Sequence, residues 1–457
     1  MARSMLFILL VSLGIHAQSD WTNWGNTQHC TPRAIFYPQT LYEVQEIIRD
    51  AHATKGTVKA VGSGHSWTDL VCTDGYLINT DALNALLAYD ASARQITVQA
   101  GIKLKDLVKL LAEHNLCLSN QGFITEQSIA GAIATATHGT GHAYNLSDYI
   151  VGMQIIDARG NLYTIDAQTH GEWLPLLRVH LGALGFIYAV TVQCEPLFKV
   201  KHSRTLVPIT EIMDTYEQLY QHHDYWMYMF CPGSDKALLF TWDKTQEAVD
   251  ISPFHYAMND CVFNRLLNQC AVRSFSYLYQ IGPWCLETGL YGLQMKEHVD
   301  YAYRSLSPLK TPISVQWYIE QEIAVPFEDF PQALAELEQI YQKYHNPEQP
   351  LASLITCRFG PPTQSSYLSP CYGRKTAYIT INILNYFDEY EQFFQDFEYA
   401  MKRFKGRPHW GKFHHLTYHD LLDVYDHSHV QAFKNLQQLL DPDGMFVNDF
   451  IKRCFDL

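Results

Sequence analysis

A chain of 457 residues, 47% hydrophobic and 18% charged, has apolar material for two or three packed domains at roughly 150 residues each and no tract polar enough to stay disordered. Its net charge of −14 at pH 7 and the lack of any basic patch exclude nucleic acid and anionic membrane surfaces as partners, since both need a basic face. The 11 cysteines are odd in number and show no C-x-x-C spacing, which points to buried small hydrophobes with a disulfide or two rather than to a zinc or redox site.

Residues 1–18 read as an export signal. Arg3 supplies the charge, residues 5–15 form an apolar run shorter than the roughly 20 residues of a bilayer span, and Ala17 closes a suitable cleavage site. The expectation is a secreted or periplasmic protein, with a retained membrane anchor as the alternative. No later stretch is long and apolar enough to span, so no stable membrane insertion is expected after cleavage.

From residue 19 to about 200, short strands alternate with short helices. Residues 33–38 are strand-like, residues 41–53 carry helical spacing at Leu41, Val44, Ile47 and Ile48, and residues 57–61 form a second strand. Further on, residues 95–99 read as a strand, 104–114 as a helix, and 150–157 and 162–165 as strands flanking the turn at Arg159-Gly160-Asn161. The segment 201–405 is rich in aromatics, with strand-like runs at 237–242, 314–319 and 377–383 and helical patterns at 331–344 and 390–404. The last segment, 406–457, is set apart as a piece returning to the first.

Two glycine-rich stretches interrupt the first region. Val61-Gly62-Ser63-Gly64-His65-Ser66-Trp67-Thr68-Asp69 offers a turn whose amides and hydroxyls suit an anion. Taken alone it is an ordinary strand-to-loop turn, because it lacks the third glycine of the dinucleotide fingerprint. The second stretch, Gly122 to Gly141, is twenty residues of small and hydroxyl side chains with no Lys or Arg. It suits a flat phosphate-bearing ligand lying against main chain, or else a tightly packed buried helix. Together the two stretches favour a nucleotide cofactor.

The ordered set Val61-Gly-Ser-Gly-His65-Ser66, Asp74-Gly75, Gln95-Ile-Thr-Val-Gln-Ala-Gly101, Thr137-His138-Gly-Thr-Gly141, Leu177 to Gly185, Thr191 to Pro196, Arg407-Pro-His-Trp-Gly-Lys412 and Leu440 to Asn448 resembles the sugar-acid lactone oxidases, FAD flavoproteins of the vanillyl-alcohol-oxidase (PCMH) type. The resemblance implies an α+β fold: a two-subdomain FAD-binding domain plus an α/β substrate cap. It implies FAD joined covalently to His65, whose imidazole, with an ordinary pKa of about 6.5, attacks while neutral. Gly62, Ser63, Gly64 and Ser66 would contact the pyrophosphate. Gly122, Ser128, Gly131, Thr135, His138, Gly139, Gly141 and Ile187 would complete the cofactor cleft. Gly122, where dehydrogenase relatives carry alanine, favours O2 as acceptor.

For the reaction, the resemblance implies hydride transfer from substrate carbon to flavin N5 with loss of the hydroxyl proton, helped by the cations Lys412 and Arg358. The pattern departs at Thr356, where relatives carry a glutamate two residues before the arginine, and Glu322 is the candidate replacement. The expected substrate is an aldonolactone, the alternatives being an alditol, a non-oxygen electron acceptor, or a flavin- or sugar-binding protein without turnover. No metal is expected. His414, His415 and His419 include an i, i+4 pair, but no third ligand stands at a definable spacing.

Overall fold

The computed structural model describes residues 16–17, 20–252, 282–307, 318–346, 351, 353–384 and 389–457. The export signal lies outside the described residues except for positions 16–17, and so does the strand read at 314–319 except for its last two residues.

The first part begins with a parallel sheet. Strand β1 (Ala34–Phe36) leads into helix α1 (Leu41–Ala53), which starts on a capping box between Thr40 and Glu43 and buries Val44, Ile47, Ile48 and Ala51. The chain returns in β2 (Val58–Val61), then enters β3 (Tyr76–Asn79), which lies between β1 and β2 and runs parallel to both. A parallel arrangement needs such a crossover, and the loop after β2 therefore opens at the carboxyl end of the sheet.

A five-stranded antiparallel sheet follows, built from β4 (Leu86–Asp90), β5 (Gln95–Gln99), β6 (Ile150–Ile156), β7 (Leu162–Ile165) and β8 (Phe186–Gln193), in the order β7-β6-β8-β5-β4. Helix α2 (Leu104–Glu113) buries Leu104, Leu107, Val108 and Leu111. The small-residue stretch folds in part as the short helix α3 (Ile129–Ala134), with Ile129, Ala132, Ile133 and Ala134 buried.

The rest of the chain builds an eight-stranded antiparallel sheet. Its strands are β9 (Lys199–Pro208), β10 (Tyr225–Phe230), β11 (Lys236–Thr245), β12 (Met295–Tyr301), β13 (Ile319–Pro326), β14 (Ser353–Gly360), β15 (Thr376–Ile383) and β16 (Arg407–Pro408), ordered β12-β9-β11-β10-β14-β15-β13-β16. Strand alternation divides the centre of this sheet into two faces. Ile323, Ile355, Cys357, Phe359, Ile379 and Ile381 share an apolar core with helices α4 (Ile209–His222, placed between β9 and β10), α5 (Phe330–Tyr344) and α6 (Tyr390–Lys402). Their neighbours along the strands, Glu320, Glu322, Arg358, Tyr378 and Thr380, face the other way and are buried too.

The C-terminal helices α7 (Tyr418–Val424), α8 (His427–Leu440) and α9 (Asp449–Phe455) return to the first part. Phe433, Leu436, Phe450, Ile451 and Phe455 share a core with Leu107, Ile150 and Val190. Asn448 fastens this return, its Nδ2 lying 2.9–3.1 Å from the carbonyls of Asp69, Leu70 and Cys72. Cys30, Cys72, Cys117, Cys194, Cys231, Cys357, Cys371 and Cys454 are free thiols, and no helix among the described residues is long and apolar enough to cross a membrane.

Candidate active site

The loop 62–68 lines a cleft of about 780 Å³ of atom-free space, part of it open to solvent. Gly62, Ser63, Gly64, His65, Ser66, Ser128, Gly131, Thr135 and Ile187 all border it. A side chain at position 62 has no room, because a β-carbon there would stand 2.0 Å from Ser128 Oγ. Gly64 takes a φ of +63°, which a β-carbon disfavours, so the loop can turn with bare main chain facing the cleft. The Ser63 hydroxyl is engaged within the protein, donating to the Glu126 carbonyl and accepting from Lys103 Nζ at 2.8 Å. Lys59, which sequence reasoning missed, closes the floor, its Nζ donating to the carbonyls of Gly182 and Phe446, each at 3.1 Å. Burial, opposed by the charges of Asp441 and Asp69, brings its pKa down to about 7.

His65 is held rigidly. Its ring stacks on Trp24 at 4.2 Å with 20° between planes and meets Trp67 edge-on at 5.9 Å. Its Nε2 is sealed from solvent and has no hydrogen-bond partner among the described residues. Burial first, then the charges of Lys412 and Lys103, depress its pKa to about 3, so the imidazole is neutral.

The inward face of the eight-stranded sheet forms the second half of the site. Glu322 on β13 pairs in register with Thr380 on β15, which pairs in turn with Thr356 on β14. Glu322 and Thr356 therefore stand in the same row, two strands apart. Glu322 Oε2 accepts from Arg358 Nη2 and, at 2.6 Å, from the Thr380 hydroxyl, while Oε1 lies 2.7 Å from His138 Nε2. Arg358 also donates to the His138 carbonyl at 3.3 Å, and the His138 ring stacks on Tyr378 at 3.6 Å. Burial alone would raise the Glu322 pKa, but the adjacent His138 and Arg358 hold it well below the usual carboxylate range. Burial lowers His138 and, more strongly, His409 from their ordinary values.

Lys412 ion-pairs with Glu320, a residue sequence reasoning also missed, and its Nζ sits 4.5 Å from the centre of the Trp67 ring. Segment 408–413 stitches the two halves together. His409 and Phe413 donate their N–H groups to the carbonyls of Glu322 and Glu320, while the Gly411 carbonyl accepts from Trp67 N–H at 2.9 Å. The structure thus brings Arg358, Glu322 and His138 into one cluster, joined through segment 408–413 to Lys412, whose charge acts on His65. Lys412, Arg358 and Glu322 are absent from the cleft lining, as are Gly122, His138, Gly139 and Gly141. Gly139 is instead packed on Asn120 and Gly141 against Asp224, while a β-carbon on Gly122 would press on Thr137 Cγ2 at 2.8 Å.

The ligand atoms of His138, Glu322 and His409 lie within 4.8 Å of one another, a spacing that suits a metal. Their hydrogen bonds do not suit one. His409 Nδ1 accepts from Gly411 N–H at 3.0 Å, so its Nε2 carries the hydrogen, and Glu322 is already held by Arg358. The histidine pair read from the sequence is not formed on a helix, because α7 begins at Tyr418, past His414 and His415.

The cleft passes a test of fit for FAD: its glycines leave main chain exposed where a β-carbon cannot stand, and a buried imidazole nitrogen lacks a partner. Residues 32–166 match the FAD binding domain model, and residues 190–454 match the D-arabinono-1,4-lactone oxidase model. The chain is 33% identical over 438 residues to an L-gulono-1,4-lactone dehydrogenase of Mycobacterium tuberculosis, covering 95% of this chain and 98% of the relative. It is 28% identical over 443 residues to an L-gulonolactone oxidase of Mus musculus, with the same coverage. In fold it is similar to a cholesterol oxidase from B. sterolicum, with a TM-score of 0.80 at 16% identity over 97% of this chain and 98% of that one. The chain belongs to the D-arabinono-1,4-lactone oxidase family of FAD-dependent oxidoreductases, with an α+β fold of the vanillyl-alcohol-oxidase type.

Proposed function

We propose that the protein oxidises a sugar-derived aldonolactone with covalently bound FAD and passes the electrons to O2, forming hydrogen peroxide. The observation that carries this reading is the pair of cations, the buried Arg358 and the partly buried Lys412, matched to Glu322 and Glu320 on the same inward face of the eight-stranded sheet. Bound FAD supplies the hydride acceptor. The remaining chemistry belongs to the protein. Arg358 and Lys412 stabilise negative charge as it develops on the substrate oxygen when a CH–OH group becomes a carbonyl. His138 donates Nε2–H to Glu322 while its Nδ1 faces the Gly139 carbonyl at 2.9 Å. With both ring nitrogens facing acceptors, His138 holds Glu322 in place beside Arg358, and the hydroxyl proton leaves to solvent through the open side of the cleft. The product is a 2-keto lactone, which enolises to an ascorbate-like enediol.

Anaerobic mixing with gulono-, galactono- or arabinono-1,4-lactone is expected to bleach the flavin, and O2 is expected to restore its colour. Recovery only with an artificial dye would favour a dehydrogenase, a second reading supported by the name of the mycobacterial relative. Bleaching by polyols alone would point to an alditol oxidase, and none at all to a binding protein.

For the covalent link, a neutral His65 nitrogen bonds to the carbon of the cofactor's 8α-methyl group. His65 would thus hold the cofactor by a bond formed with loss of two protons and two electrons, the electrons being taken up by the acceptor used in turnover. A denaturing gel is expected to show a fluorescent wild-type band and a dark His65→Ala band. A dark wild-type band from yellow protein would mean that FAD is bound without a bond. Export through residues 1–18 belongs to the same proposal, and the mass of the mature chain recovered from the medium or periplasm tests it.

A further inference from the structure

Residues 21–30, which sequence reasoning left aside, lie against the proposed attachment site. Trp21–Thr22 pairs with His29–Cys30 in a small hairpin that runs along loop 62–68. Trp24 N–H donates to the Gly64 carbonyl at 2.9 Å. The buried Asn23 holds the hairpin turn with its Oδ1, accepting from the N–H groups of Thr27 and Gln28, and its Nδ2 donates to the Ser66 carbonyl at 2.7 Å. Gln28 Nε2 donates to the Trp67 carbonyl at 3.2 Å. The hairpin thus grips the loop on both sides of His65 and lays the Trp24 indole on the imidazole.

A grip of this kind serves the loop alone if every group it fixes is satisfied. Here His65 Nε2 is buried without a partner among the described residues, an unfavourable state for a polar atom. Holding a ring in that state suits a nitrogen kept for reaction. We infer that Trp24 is a positioning residue for flavin attachment: its indole sets the plane of the His65 imidazole and keeps water from it. The inference rests on the covalent reading above. The charged groups that act on His65 are Lys412 and Lys103, which are themselves paired with Glu320 and Asp81. These pairs persist when Trp24 is changed, so the loss of the stack is felt mainly as hydration of the ring, which raises its pKa toward the ordinary value of about 6.5.

The test compares wild-type holoenzyme with Trp24→Leu and Trp24→Phe, measuring total flavin, flavin retained by the denatured chain, and melting temperature. Trp24→Leu is expected to fold and bind FAD with its covalent fraction reduced at least about tenfold, while Trp24→Phe stays near wild type. On incubation, the remaining attachment in Trp24→Leu is expected to proceed more slowly at about pH 5.5 than at about pH 8, because a hydrated imidazole is protonated at the lower value. Equal covalent fractions in Trp24→Leu and wild type would overturn the inference. So would equal losses in both variants that follow a fall in melting temperature, since that is the mark of a purely structural strap. A wild type without covalent flavin would overturn the attachment reading itself, and the inference with it.

Discussion

Lys412→Met is expected to lower kcat for lactone oxidation by about 10²–10³-fold, while FAD content stays close to wild type. The cation sits where the His65 loop meets the sheet wall, over Trp67 and paired with Glu320. In this poorly hydrated place a fixed positive charge acts strongly on an oxygen that becomes negative only as hydride leaves, so the loss falls on kcat more than on KM. The single variant also leaves the Glu320 carboxylate buried without its partner. The double variant Lys412→Met with Glu320→Gln separates the two effects, because it removes both charges together. If the double variant turns over within a few-fold of wild type, Lys412 is a structural partner of Glu320 and the catalytic assignment fails. Steady-state kinetics with anaerobic reduction of the flavin reads both variants.

The largest expected effect on stability is that of Arg358→Met, about 3–5 kcal/mol at neutral pH. Glu322 is fully buried, and its charge is tolerated because Arg358 and His138 surround it. Removing the guanidinium strands that charge, and two remaining donors, Thr380 and His138, do not replace a full positive charge. Arg358→Met combined with Glu322→Gln is expected to recover much of the stability while remaining inactive. The pH dependence has a definite sign. The Glu322 pKa is depressed in the folded chain, so its contribution is complete above the unfolded carboxylate pKa of about 4.3 and fades as pH falls through the lower folded value. The gap between wild type and Arg358→Met should therefore be widest near neutral pH and narrow in acid. Guanidinium unfolding at two pH values measures it, and a gap that is constant with pH would mean that Glu322 is not the group left unpaired.

Much of the first part was legible because its signals are local. The helix at 41–53 follows from apolar spacing and the Thr40–Glu43 capping box, and the strands at 95–99 and 162–165 from alternation between turns. Glycines 62 and 64 pointed to a cofactor loop only together with the second small-residue stretch, and the tertiary structure supplies the reason, since Ser128 from that stretch leaves no room for a β-carbon at position 62. The cationic residues Lys412 and Arg358, and Glu322 as a replacement carboxylate, could be named from motif and from the gap at Thr356. The family resemblance grouped His138 and Gly139, near the end of the small-residue stretch, with the cofactor, and the structure sets the His138 ring on Glu322.

The sequence by itself determined which segments become strands and helices, where main chain lies bare for FAD, and which charged residues are available for chemistry. Only the tertiary structure decided their partners. Glu322 and position 356 share one row because strand register sets both beside Thr380. Glu320 meets Lys412 because segment 408–413 hydrogen-bonds to β13, and Trp24 covers His65 because an N-terminal hairpin folds back on loop 62–68. Register, crossover and return of the chain depend on packing between segments far apart in sequence, and hydrophobic periodicity within one segment carries no record of them.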